Sequence, residues 1–175
     1  MKAIICGGRS FNPKKFKEEY PNFEQKLIDI FKENDIDEEV CGMATGADIY
    51  GAHFAKTNGI SVKEFEALWS NISIQTQDEP VLVGLNKFGH PYNTLAGINR
   101  NKRMGDYVKN NGGGIVIALP GGPGTKHMVN YGTSIGLIIY EFDEKSGDFI
   151  KIRTWRYNIC LVINLLDQME NLFKR

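Results

Sequence analysis

Short apolar runs alternate with stretches of helical periodicity along most of the chain, the pattern expected of strands joined by helices. Residues 2–6 form an apolar run that ends in Gly7-Gly8-Arg9-Ser10. Phe23, Leu27, Ile30 and Phe31 recur at helical spacing and predict an amphipathic helix over residues 22–34, whose apolar face needs a sheet to cover. Residues 39–41 predict a second strand. The small residues Ala47, Gly51, Ala52 and Ala55 predict a closely packed helix after it, and a third strand follows over residues 60–65, beyond the Asn58-Gly59 stop. Helical periodicity returns over residues 93–110. Residues 114–119 are a strongly apolar strand ended by Pro120, a helix starts near Lys126, and residues 137–142 form a further strand. Lys145-Ser146-Gly147 reads as a hairpin turn, with residues 149–155 returning as a strand and residues 158–174 as a closing helix. Between residues 68 and 93 the pattern yields only Val81-Leu82-Val83 among polar residues, Gly and Pro, so a segment of about residues 70–92 reads as an insertion near the mouth of a site.

Alternating strands and helices imply an α/β fold: a Rossmann-like, mostly parallel sheet with helices on both faces, plus a C-terminal hairpin and helix. Residues 1–142 make the binding domain and residues 143–175 extend it. In such sheets ligands sit beyond the carboxyl ends of the strands, where the strand order reverses.

Two glycine-rich segments fall on that rim: Gly42-Met43-Ala44-Thr45-Gly46-Ala47-Asp48 and Pro120-Gly121-Gly122-Pro123-Gly124-Thr125. Glycines leave backbone N–H groups uncovered, and the start of the next helix adds unpaired donors and the positive end of its dipole. The combination suits an anionic, nucleotide-like ligand. A Walker A loop requires a glycine spacing that Thr125-Lys126 lacks, and Gly7-Gly8-Arg9-Ser10 lacks the dinucleotide fingerprint. The alternative for the second segment is a plain tight turn between strand and helix.

Arg100 shares a helical stripe with Met104 and Val108, which face the core, so its guanidinium needs a partner. It either clamps a phosphate over the rim or pairs with an internal carboxylate. Lys102 and Arg103 fall on the solvated side. Asp48 is placed to cap a helix or to bind a ribose hydroxyl. Among the three histidines, His53 and His90 read as structural or solvent-facing, while His127, next to the second turn, can meet a ligand. No metal site or cofactor is expected.

The 21 basic and 21 acidic residues cancel, giving no global field that would draw the chain onto nucleic acid or a membrane surface. Cys6, Cys41 and Cys160 have no metal-ligand spacing and read as buried thiols of a reducing compartment. No apolar run approaches the roughly 20 residues of a membrane span, and a cytoplasmic protein is expected. Ile159, Val162, Ile163, Leu166, Met169 and Phe173 lie on one helical stripe, widened by Leu161 and Leu165. This stripe serves either core packing or burial between copies in a homodimer or higher homo-oligomer.

Three segments in order carry a resemblance: Gly42 to Asp48 with Ala52-His53, Ala96-Gly97-Ile98-Asn99-Arg100-Asn101 with Met104, and Pro120 to Thr125. Together they resemble the SLOG superfamily, which groups the Lonely-guy enzymes with DprA-type Rossmann-like proteins. The opening strand, the Gly7 to Phe11 turn, Trp69 and Gly89 follow the order of its small YspA-type branch. The likeness spans about residues 1–140 and implies binding of nucleotides or nucleotide-derived signals. Lonely-guy relatives cleave the N-glycosidic bond of nucleoside monophosphates with an arginine, matched by Arg100, and a glutamate, whose position is Met128 in this chain. Methionine cannot accept a proton. The expected function is therefore binding of a nucleotide or related small molecule, as a sensor or sequestering protein. The expected ligand site comprises Gly7, Gly8, Arg9, Ser10, Gly42, Thr45, Gly46, Ala47, Asp48, Arg100, Gly121, Gly122, Gly124, Thr125 and His127. The alternatives are a nucleotide N-glycosidase that uses Arg100 and Asp48, and DprA-like binding of single-stranded DNA, which the balanced charge disfavours.

Overall fold

A computed structural model of the chain describes residues 1–77 and 79–152. The elements are β1 (Lys2–Cys6), α1 (Pro13–Glu19), α2 (Phe23–Glu33), β2 (Glu38–Cys41), α3 (Ala47–Thr57), β3 (Ser61–Glu64), β4 (Val83–Leu85), β5 (Pro91–Asn93), α4 (Ala96–Asn110), β6 (Gly114–Ala118), α5 (Pro123–Ile135), β7 (Ile138–Asp143) and β8 (Asp148–Ile152). The main sheet has the order β3-β2-β1-β6-β7-β8. Its strands are parallel except β8, which pairs antiparallel with β7.

The alternation of side chains along each strand explains why β1 and β6 read as unbroken apolar runs. Ala3, Ile5, Ile115 and Ile117 point to the face covered by α1, α2 and α3, where they meet Phe23, Leu27, Phe31 and Phe54. Ile4, Cys6, Val116 and Ala118 point to the opposite face and meet Met104 and Val108 of α4 and Met128 of α5. Both faces are buried, as an α/β sheet requires. The chain leaves β1 toward β2 on one side while β6 pairs with β1 on the other, so the order reverses between β1 and β6. Their carboxyl ends are in register at Cys6 and Ala118. A crevice opens beyond that point.

Some elements differ from the pattern reading. Helix α1 is unforeseen, although Asn12-Pro13 is a helix start: the Asn12 side chain accepts from Lys15 N–H at 3.1 Å, and Pro13 opens the helix. Helix α5 begins at Pro123, three residues before the expected Lys126, so Gly124 and Thr125 lie in its first turn. The insertion is anchored at several points and contains the antiparallel β4–β5 hairpin. Arg103 donates to the Glu66 carbonyl at 2.6 Å and pairs with Glu79 at 2.9 Å. Asn99 donates to the Pro80 carbonyl at 2.9 Å, and the Asn93 side chain accepts from Leu82 and Leu95. Arg103 is therefore a strut that holds the insertion to α4, which corrects its placement on the solvated side. The expected closing helix, its apolar stripe and Cys160 lie outside the described residues.

Candidate functional site

Three turns converge at the crevice, one each from the carboxyl ends of β1, β2 and β6. The turn after β1 lies in the middle: Gly8 N–H donates to the Pro120 carbonyl at 2.9 Å, and the Gly8 carbonyl accepts from Ala47 N–H at 3.2 Å. Gly46 has φ +82°, and a β-carbon there would run into the backbone of Gly8 and Arg9. The two glycine-rich segments, distant in sequence, thus meet through Gly7-Gly8.

The turn after β2 is braced by the protein's own groups. Arg100 extends from α4, on one face of the sheet, across the rim to the first turn of α3 on the other. Its Nη1 donates to the Gly42 carbonyl and pairs with Asp48 Oδ2 at 3.1 Å. A β-carbon at position 42 would displace that guanidinium from its place. Asp48 Oδ2 also accepts from Ala44 N–H at 3.3 Å, and Met43 N–H points at Cys41 Sγ at 3.3 Å. Asp48 is consequently not a helix cap. Gly46 is the cap residue of α3, and no side-chain bond caps that end. Burial pushes the Asp48 carboxyl above its ordinary range, against the opposing pull of Arg100 and of Ala44 N–H.

The turn after β6 is open. Gly122 caps α5 with no side-chain bond, and Pro123 has no N–H to satisfy. A β-carbon at Gly122 or Gly124 would meet nothing within 4 Å. Thr125 is 9% exposed, and its Oγ1 has no hydrogen-bond partner among the described residues. Arg100 Nε is likewise buried without a partner there.

These groups border a cavity of about 380 Å³, within the range of roughly 300–1,000 Å³ usual for small-molecule sites. Of the expected site residues, Gly7, Gly8, Arg9, Asp48, Arg100, Gly122, Gly124 and Thr125 line it. Gly42 and Thr45 line an adjoining cavity of about 460 Å³ that shares Arg9, Ala44, Trp69 and Arg100 with the first. Gly46 and Ala47 are packing positions beneath the Gly8 turn, and Gly121 and Ser10 border shallower hollows. His127 lies between α4 and α5, near Asn101 at 3.4 Å and parallel to the Tyr131 ring, and does not line the cavity. Burial, then Lys102, lowers its pKa, so its imidazole is neutral at pH 7.

Trp69, Thr94, Ile98 and Asn101 line the same cavity although none belongs to the expected ligand site. Asn101 donates to the Gly124 carbonyl at 3.1 Å and orients the α5 turn. Trp69, Ile98 and Asn101 enter the sequence reading only through the family resemblance, without a role in the site. Met128 is fully buried on the cavity floor, and burial pushes the Cys6 thiol there far up, leaving it protonated and unreactive. Among the described residues no cluster of three or more His, Cys, Asp or Glu could hold a metal, and no helix is long and apolar enough to cross a membrane.

No protein-family model matches the chain, and no curated protein matches it. Among solved structures it is similar to the X-ray structure of DNA processing protein A (DprA) from Streptococcus pneumoniae, at 16% identity and a TM-score of 0.50. The match covers 80% of this chain and 49% of that one, so the chain spans about half the length of that protein. At this identity the likeness is one of fold, and the fold is DprA-like and Rossmann-like.

Proposed function

We propose that the protein binds a nucleotide or a nucleotide-derived small molecule, with its phosphate at the start of α5. The supporting observation is Thr125: a hydroxyl more than nine-tenths buried, without a hydrogen-bond partner among the described residues, in the first turn of a helix that no side chain caps. A buried hydroxyl left unsatisfied costs about 1–3 kcal/mol, a cost that a phosphate oxygen would remove. The N-terminal dipole of α5 adds to the attraction. Gly7, Gly8, Arg9 and Arg100 border the same space, and Arg100, although committed to Asp48, supplies positive potential beside it. Membership of the SLOG superfamily's YspA-type branch is part of this proposal.

A second reading is N-glycosidic cleavage of a nucleoside monophosphate. It is favoured by one observation: Asp48 carries the only carboxylate among the described residues that line the cavity. Its engagement with Arg100 and Ala44 N–H makes binding without cleavage the leading reading. Titration calorimetry with phosphate, ribose 5-phosphate and the four nucleoside 5′-monophosphates tests the proposal, with free base assayed in the same samples. Saturable binding without base release is expected. Release that disappears in Asp48→Asn would establish cleavage, and binding only to single-stranded oligonucleotides, falling steeply with salt, would overturn both readings.

A further inference from the structure

We propose that Trp69 and Arg9 form the base-reading element of this site, an inference that rests on the phosphate seat above. Trp69 borders the cavity that contains the α5 turn and also the adjoining one. Its position is fixed: Trp69 N–H donates to the Ala67 carbonyl at 2.9 Å, and its own carbonyl accepts from Asn93 N–H at 2.8 Å. Gly97, at the start of α4, lies beside the far edge of the indole. Yet Trp69 is 41% exposed, a large aromatic residue left in contact with water at the wall of a concave site.

The Arg9 guanidinium sits over this ring, 5.9 Å from its centroid. That is the outer limit of a cation–π contact and wider than the roughly 3.5–4.0 Å of direct stacking. A planar heterocycle between the two needs two such layers, roughly 7–8 Å, so a shift of about 1–2 Å by an exposed arginine admits it. Indole and guanidinium planes are both good stacking partners for bases, and neither selects one base by hydrogen bonding. Trp69 would therefore distinguish a phosphate ester bearing an aromatic base from one without, while giving little preference among bases. Anion and base would be held by separate parts of the fold, the phosphate by α5 and the base by Trp69, just ahead of the anchored insertion, with Arg9 of the turn after β1.

The test is calorimetry with nucleoside 5′-monophosphates and ribose 5-phosphate on the wild type and on Trp69→Leu, Trp69→Phe and Arg9→Ala. The wild type is expected to bind the monophosphates at least tenfold more tightly than ribose 5-phosphate. Trp69→Leu should erase that margin by weakening only the monophosphates, Trp69→Phe should retain most of it, and Arg9→Ala should narrow it. Circular dichroism of each variant checks that the fold is intact. A margin that survives Trp69→Leu, or that is absent from the wild type while ribose 5-phosphate still binds, overturns the base-reading role alone. If no compound binds, the phosphate seat fails with it.

Discussion

The glycine-rich turns after β2 and β6 have similar composition, lie on one rim and meet through Gly8, yet they are in opposite electrostatic states. In the first, Arg100, Asp48 and Cys41 engage the polar groups of Gly42, Ala44 and Met43, so the turn is braced from within. In the second, the helix start is uncapped, and Thr125 Oγ1 is buried without a partner among the described residues. Glycine in a strand-to-helix turn therefore has two uses. At Gly42 it admits a guanidinium that ties α4 to α3 across the sheet edge; at Gly122 and Gly124 it leaves space in front of backbone donors. The first is a structural keystone, and the second is the candidate seat.

The strongest way to break this distinction is to remove the keystone. Arg100→Ala leaves Asp48 buried beside an unopposed Gly42 carbonyl, and losing one partner of a buried pair costs about 3–5 kcal/mol. Urea denaturation should show this loss, and Gly42→Ala, which drives a methyl into the same guanidinium, should also destabilise. The double variant Arg100→Ala/Asp48→Ala should lose less than the two single variants summed. Loss below about 1 kcal/mol in Arg100→Ala would mean that the pair is not structural.

The braced side also contains a buried acid away from the cavity. Glu39 of β2 is fully buried beneath α3, against Gly51. Burial, reinforced by Asp48, pushes its carboxyl from an ordinary 4.5 up to about 9. The folded state therefore keeps a proton that the unfolded chain releases. Stability is fully present below the unfolded value and falls as pH rises toward about 9, at most by about 1.4 kcal/mol per pH unit. Glu39→Gln should flatten that decline and be the more stable protein at pH 8. An unchanged slope would show that Glu39 is ionised in the fold.

The open side should respond in the opposite sense. Gly124→Ala places a methyl where the protein has no atom, in the first turn of a helix, so thermal stability should hold or rise by up to about 1 kcal/mol. Because that methyl stands in the proposed seat, affinity for nucleoside monophosphates should fall at least tenfold. A variant that is stabilised and still binds would move the phosphate elsewhere.

How much of this was legible in the sequence depended on whether the signal was local. Strands β1 and β6 were plain, because burial on both faces makes them unbroken apolar runs, and the two glycine segments marked the rim. Which segment is braced from within was not legible, because that depends on Arg100 reaching across 52 positions of sequence to Asp48. The α5 start lies three residues before the expected Lys126 because Pro123 reads as part of the glycine-rich turn, although proline is favoured in the first turn of a helix. The insertion gave little pattern because its order comes from side chains such as Asn93, Asn99 and Arg103, which serve as anchors and leave no apolar period.

The smallest expected effect isolates one hydroxyl. Thr125→Val preserves shape and removes Oγ1, which has no hydrogen-bond partner among the described residues. Removing an unsatisfied buried oxygen should leave stability unchanged or raise it by about 1 kcal/mol. If that oxygen donates to a phosphate, affinity should drop tenfold or more, because one hydrogen bond to a charged group is worth about 1.5–3 kcal/mol. Stability and affinity then move in opposite directions in one isosteric variant. A structural threonine would lower stability and leave affinity alone, so the sign of the stability change decides between a seat and a support before any ligand is identified.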